Sequence, residues 1–204
     1  MSSCEVLVVG AGPAGCAAAI TAQQLGLKVV VVDKATFPRD KCCGDGLTTL
    51  ALRELERLGV QPTETRTWLE VSDIFLRSPR GKEIQLKLPK NKGQYAAVVE
   101  RRELDAELVR VALDAGIEIR QGAAFKQIAL DPDSARVQIQ DGTIISAKNV
   151  IAADGMWSPV RKALGCTPVG YRGDWHAFRQ YVRADGVRSR KMWVWFEEDL
   201  LPGY

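Results

Sequence analysis

The run Gly10-Ala11-Gly12-Pro13-Ala14-Gly15 carries the densest chemistry in this 204-residue chain. Three glycines at that spacing, after an apolar run and before an Ala-rich one, suit a loop that a diphosphate can approach. Gly10 allows a sharp turn out of a strand, Gly12 leaves the backbone bare, and Gly15 lets the next helix pack closely on the sheet. A helix starting there, with Ala14 in its first turn, offers unpaired N–H groups and a positive dipole end to phosphate oxygens. Asp33 follows at the end of a second apolar run, Lys28 to Val32. Its carboxylate can accept from a ribose diol and would repel a 2′-phosphate. The pattern therefore reads as a seat for the ADP half of FAD or NAD, not NADP.

Those residues need a strand over Glu5–Val9, a helix reaching about Leu25, and a strand over Lys28–Val32. Downstream, Lys34 to Gly46 reads as a long loop, and Leu47 to Leu58 as a helix with Leu47, Ala51, Leu55 and Leu58 on one stripe. Trp68–Leu76 and Glu83–Leu88 read as strands joined at Ser78-Pro79-Arg80-Gly81, with a short strand over Ala96–Val99. Arg101 to Ala115 is an amphipathic helix stopped by Gly116. Further strands are expected over Ile117–Arg120, Phe125–Leu130, Arg136–Gln140 and Thr143–Ser146, and a buried parallel one over Asn149–Ala152. A short helix over Ser158–Leu164 and strands over Ala177–Arg183 and Lys191–Phe196 complete the reading. Parallel strands and helices interrupted by antiparallel pieces make this an α/β chain.

Composition narrows the partners. With 28 basic and 25 acidic residues the net charge is +3, and no basic stripe marks a nucleic-acid surface. No apolar run has the length of a membrane span, and no basic segment precedes the first apolar run as in a signal peptide. Five cysteines (Cys4, Cys16, Cys42, Cys43 and Cys166) lack a CxxC pair and suit a reducing cytoplasm. His176 is the sole histidine and reads as structural or surface; no metal constellation is expected.

Four more segments act together: Lys41-Cys42-Cys43-Gly44-Asp45-Gly46-Leu47, Val99 to Asp105, Ile151 to Arg161, and Leu201-Pro202-Gly203-Tyr204. With the glycine loop, they resemble the geranylgeranyl reductase family of flavoproteins, within the group related to p-hydroxybenzoate hydroxylase. The resemblance covers nearly all of this chain but only the N-terminal part of a family member. It implies FAD, a glutathione-reductase-type Rossmann-like domain, and reduction of isolated C=C bonds in an isoprenoid chain. The Cys-Gly-Asp-Gly form resembles the branch associated with menaquinone side chains.

On that resemblance, Gly10, Gly12, Ala14 and Gly15 match the dinucleotide loop and Asp33 the ribose acid. Cys43, Gly44 and Gly46 match the loop beside the isoalloxazine; Cys43 reads either as a thiol near the flavin or as a small buried residue, and Cys42 as packing. Arg101 matches an arginine reaching FAD; a cation at a helix N-terminus opposes the dipole, and the alternative is a solvated surface charge. Ala124 matches a backbone contact near the adenine. Asp154-Gly155, with Ser158 and Arg161, matches the Asp-Gly motif near ribose and pyrophosphate, with a helix cap as the alternative for Asp154. Cys43 and Tyr204 are the two candidates for protonating the alkene. NAD(P)H or another donor would reduce the flavin.

Residues 1–165 are thus expected to form an FAD-binding domain interrupted by inserted strands at about 66–96, and 166–204 the truncated start of a second, substrate-binding domain. The substrate would be a lipidic small molecule, with peripheral contact at the inner membrane face; nothing in the sequence sets the oligomeric state. Trp157, Trp175, Trp193 and Trp195 read as tunnel lining or as strand packing. An aromatic monooxygenase or halogenase is the competing enzyme, though the Cys-Gly-Asp-Gly loop argues against it. A catalytically incomplete FAD-binding fragment is the third reading, because the family's later Gly-Asp segment, whose acid binds the ribityl chain and whose helix faces the flavin, is not matched after Asp154-Gly155.

Overall fold

A computed structural model describes residues 2–61, 65–89, 93–171 and 178–200, with the side chain of residue 190 excepted. Strand β1 (Ser2–Val9) leads into helix α1 (Pro13–Gln24), then β2 (Val29–Val32). Next come β3 (Gly46–Thr48), α2 (Thr49–Arg57), β4 (Leu69–Glu70), β5 (Asp73–Arg77), β6 (Glu83–Lys87) and β7 (Ala96–Val98). Helix α3 (Arg101–Asp114) is followed by β8 (Glu118–Arg120), β9 (Phe125–Asp131), β10 (Ser134–Ile139), β11 (Ile144–Ala152), α4 (Pro159–Ala163) and β12 (Met192–Trp195).

The main sheet has the order β8-β2-β1-β11-β10-β9. The pairs β2–β8, β1–β2 and β1–β11 are parallel, whereas β10 pairs antiparallel with both β9 and β11. Both faces of β1 and β2 are covered. Val6, Val8, Val29 and Val31 pack with Cys16, Ala19 and Ile20 of α1 and Leu104, Leu108 and Ala112 of α3. Leu7, Val9, Val30 and Val32 pack on the other side with Val137, Ile139, Ile145 and Val160. Double coverage is why Val29-Val30-Val31-Val32 is unbroken by polar residues.

The elements between α2 and α3 form two smaller sheets, β3-β7-β4 and β12-β5-β6. Strand β12 runs parallel to β5, so chain beyond α4 shares a sheet with the segment inserted before α3.

Four expectations change. The run Trp68–Leu76 is not one strand: β4 pairs with β7 and β5 with β6 and β12, and the chain switches sheets at Val71 and Ser72. Buried Val71 makes the corner by donating its N–H to the Ala96 carbonyl. Leu47 is strand, not helix, because Gly46–Thr48 pairs with β7 and Thr48 then caps α2 by accepting from the Ala51 N–H at 3.4 Å. Thr143–Ser146 and Asn149–Ala152 merge into the single strand β11. Strand β10 pairs only with its first half, so the second half keeps β1 on one side alone and Ile151 is 37% exposed rather than buried. Among the described residues 178–183 there is no strand, and Ala177 lies outside them.

The first turn of α1 meets the turn after β1 at Gly15 and Gly10, with no side chain between these two residues. A Cβ on Gly15 would overlap the Gly10 carbonyl oxygen and press on Val8. Gly15→Ala is therefore expected to cost about 3 kcal/mol of stability or more, read by urea denaturation, whereas Gly44→Ala, with nothing near its Cβ position, should cost far less.

Candidate functional site

The C-terminal ends of β1 and β2 and the N-terminus of α1 converge on Gly10 to Gly15. Gly10 has φ +106°, a region that favours glycine, and its N–H donates to the Val32 carbonyl at 2.8 Å. A Cβ there would also overlap the Ala153 carbonyl at the end of β11. Gly12 differs. It stands at the N-cap of α1 in ordinary extended backbone, φ −74° and ψ −177°, and makes no side-chain cap. Its Cβ position is open but for an Arg39 Nη2 at 3.6 Å. The fold itself therefore does not require glycine at 12; what glycine provides is exposed backbone. Pro13, lacking an N–H, fills the first helical position, and the unpaired donors of the first turn, Ala14 and Gly15 among them, point out of the helix end.

Asp33 closes β2 and braces this loop. Its Oδ2 accepts from the Ala11 N–H at 2.6 Å and its Oδ1 from the Ala35 N–H at 2.7 Å. Each carboxylate oxygen has a further lone pair, so acceptor capacity remains for a diol. Asp33 also lines a groove of about 90 Å³ with Gly10, Lys34, Ala124, Phe125 and Asp154. Asp154 uses one oxygen as a cap: Oδ2 accepts from the Val160 N–H of α4 at 3.0 Å. Its Oδ1 is buried with no hydrogen-bond partner. An orphaned carboxylate oxygen beside a groove calls for a donor from outside the described residues. Gly155 turns with φ +84°, and the Lys41 ammonium lies 3.7 Å from its Cβ position. Ser158 caps α4 through the Arg161 N–H at 2.9 Å, while the Arg161 guanidinium donates to the Met156 carbonyl at 2.6 Å and the Thr167 hydroxyl at 3.1 Å. Arg161 pins the turn rather than facing the groove.

Beneath the loop lies a charged cluster. Asp105 is fully buried and takes two guanidinium groups: Arg39 Nη1 at 2.7 Å on Oδ2, and Arg101 Nε at 3.0 Å on Oδ1 with Nη2 at 3.0 Å on Oδ2. Burial works against the Arg101 charge, but the hydrogen bonds and field of Asp105, with a lesser contribution from Cys43, hold it above its ordinary range. Arg101 is 9% exposed, which excludes the solvated surface charge. Two cations on one carboxylate leave net positive charge beside the bare backbone of Gly12. Of the two, Arg39 reaches toward Gly12 and was missed from sequence; its only signal was its place after Pro38 in a long loop.

The loop after Arg39 is anchored by Asp45. Oδ1 accepts from the Arg101 N–H at 3.2 Å and from Arg179 Nη1 at 3.2 Å; Oδ2 accepts from the Tyr181 hydroxyl at 2.8 Å. Arg179 also holds Asp40, whose hydrogen bond keeps its charge firmly in place and whose own carboxyl is drawn below the usual range. Cys43 and Cys42 are exposed, which corrects the packing role read for Cys42 and removes the small buried residue that was one of two readings of Cys43. Gly44 has open space around it, and Gly46 faces Met192, whose methyl is 3.0 Å from the Cβ position. Trp193 stacks on Phe75 at 4.8 Å across β12 and β5, as strand packing. Tyr204, His176 and Trp175 lie outside the described residues.

The residues present fit an adenine dinucleotide: an uncapped helix end without side chains, a cationic cluster beside it, an acid at the end of β2, and an orphaned oxygen in the adjoining groove. The family described as FAD binding domain matches residues 3–199. The menaquinone reductase of Mycobacterium tuberculosis (strain ATCC 25618 / H37Rv) is 42% identical over 171 residues, covering 80% of this chain and 40% of that protein. A geranylgeranyl bacteriochlorophyll reductase-like structure from Thermoplasma acidophilum superposes with a TM-score of 0.69 at 29% identity, over 81% of this chain and 42% of that one. The p-nitrophenol 4-monooxygenase PnpA of Pseudomonas putida DLL-E4 shares the fold, with a TM-score of 0.70 at 23% identity over 81% of this chain and 44% of that one. The chain thus spans less than half the length of each.

Gly12 separates binding from folding. Gly12→Ala should leave urea-denaturation stability in the absence of FAD within about 0.5 kcal/mol of the parent, and weaken FAD binding at least about tenfold by fluorescence titration. A parent-like FAD affinity would remove the diphosphate from this loop.

Proposed function

The chain belongs to the FAD-binding-domain family, and from that premise we propose that it is the cofactor-holding part of an FAD-dependent reductase of isolated C=C bonds in an isoprenoid chain, a menaquinone side chain or a geranylgeranyl lipid. The observation that carries this is the 42% identity to a menaquinone reductase across 171 residues, 80% of this chain. FAD, when bound, supplies the hydride chemistry; the chain's own residues bind, orient and brace.

In this reading the first-turn amides of α1 and the Arg39–Asp105–Arg101 cluster take the diphosphate. Asp33 takes ribose hydroxyls, and Asp154 Oδ1 takes a further donor in the same groove. Ala124 lines the adenine end. Cys43, Gly44 and Gly46 lie on the flavin side, held there by Asp45. Residues 1–165 form the cofactor domain with an insertion at about 66–96, and 166–204 begin the substrate-binding part. When FAD is bound, NAD(P)H or another donor would supply its electrons, and Cys43 or Tyr204 would supply the proton for the neighbouring alkene carbon. A lipidic substrate implies peripheral contact with the inner membrane face; no helix among the described residues is long and apolar enough to cross a membrane.

The fold also serves a p-nitrophenol monooxygenase, and fold alone does not choose between the chemistries. The discriminating experiment uses the protein at its natural length with FAD, under anaerobic chemical reduction. Menaquinone with an unsaturated side chain should gain two hydrogens per turnover, read by mass spectrometry. A polyprenyl chain left untouched there, with oxygen-dependent hydroxylation of an aromatic once air is admitted, would overturn the assignment.

A further inference from the structure

Arg179 is drawn inward from a stretch that otherwise faces solvent. Residues 178–183 form neither helix nor strand, and Phe178, Tyr181 and Val182 are 87%, 55% and 73% exposed. The Arg179 side chain is only 14% exposed. Two carboxylates hold it. Its Nη2 donates to Asp40 Oδ2 at 2.6 Å, and its Nη1 donates to Asp45 Oδ1 at 3.2 Å. The guanidinium carbon also lies 4.6 Å from the Tyr181 ring centroid, while the Tyr181 hydroxyl donates to Asp45 Oδ2 at 2.8 Å. Hydrogen bonds between ionised groups are the strong ones, and a guanidinium can serve two acids at once.

Those two acids flank the tetrapeptide Lys41-Cys42-Cys43-Gly44. One guanidinium therefore closes the span into a ring of non-covalent contacts. Without it the two carboxylates would repel each other. Among the described residues, no atom lies within 4 Å of the Gly44 Cβ position to hold the span instead. The two ends are not equally supported. Asp45 has a second tie, accepting from the Arg101 N–H at 3.2 Å, whereas Asp40 is 61% exposed and is fastened through Arg179. The cation comes from beyond residue 165, the part expected to begin the substrate-binding region, yet it shapes a loop on the cofactor side.

We infer that Arg179 is a positioning residue of the cofactor site: by bridging Asp40 and Asp45 it fixes the Lys41–Gly44 span beside the flavin. The inference rests on the placement of that loop proposed above. The bridge acts by shape and by charge. It restricts the span to one conformation, and it leaves one net negative charge where two would stand. Negative charge near bound FAD opposes the uptake of electrons, so the bridge also keeps the flavin easier to reduce.

Hydrogen exchange tests the bridge, and the flavin tests its purpose. In the flavin-free protein at its natural length, Arg179→Gln should speed exchange of the amides at 41–44 about tenfold or more, while β1 keeps its parental exchange. Arg179→Lys retains the charge without the fork and should recover part of the protection. Asp40→Asn added to Arg179→Gln should speed exchange little further, because both remove the same contact. With FAD bound, Arg179→Gln should raise the dissociation constant several-fold and lower the midpoint potential, and Arg179→Lys should restore most of the potential. Parental loop exchange in Arg179→Gln would overturn the inference. Faster loop exchange with parental FAD affinity and potential would overturn the positioning role alone, with FAD binding intact. A parent protein that binds no FAD would instead remove the functional reading, and this inference with it.

Discussion

The carbonyl oxygen of Gly10 occupies the space where a side chain on Gly15 would stand, and the carbonyl of Ala153 does the same to Gly10. Strand β1, helix α1 and the end of β11 thus meet backbone to backbone. Side-chain packing of Val6 and Val8 with Cys16, Ala19 and Ile20 holds that junction, and its closeness sets the position of everything around it. The helix end cannot slide along the strand without collision. The bare amides of the first turn are therefore aimed by the sheet, not by the loop.

A second constraint lies beneath the first. Asp105 is wholly buried, and an isolated carboxylate there would be severely destabilising. Arg39 and Arg101 approach it from different parts of the chain, the long loop after β2 and the first residue of α3. The buried acid therefore docks the loop onto α3 and leaves one excess positive charge next to the side-chain-free corner. Such clusters contribute more to position than to stability, since desolvation offsets much of the attraction. Here position is what matters: removal of either arginine would leave the carboxylate underpaired, and removal of Arg39 would also take the loop's tether.

Much of this was legible in the sequence. The glycine spacing, the unbroken valines of β2 and the acid at 33 specify local structure that burial then confirms, because each depends on near neighbours. Ala-rich α1 and the stripe of α3 are likewise short-range signals. What was not legible depends on distant partners. No pattern announces that Arg39 will find Asp105, or that the polar face of α3 would be buried at Arg101, Asp105 and Glu107. The break in Trp68–Leu76 is similar: both halves have strand-forming residues, and only their assignment to different sheets reveals the corner at Val71. Gly46–Thr48 becomes strand only because β7 lies alongside, which moves the helix start past Leu47.

Asp45 links these two scales. Its backbone carbonyl accepts from the Val99 N–H, and its side chain accepts from Arg101, Arg179 and Tyr181. The first two contacts fix the loop to the start of α3; the last two bring in chain more than a hundred residues away in sequence. A loop of glycines and small thiols has no core of its own, so its shape must be imposed by anchors at its ends. Arg39 anchors one end through Asp105 and Asp45 the other through the head of α3. Both anchors converge on the same helical turn, which is why the glycine corner, the thiol pair and Arg101 keep a common frame.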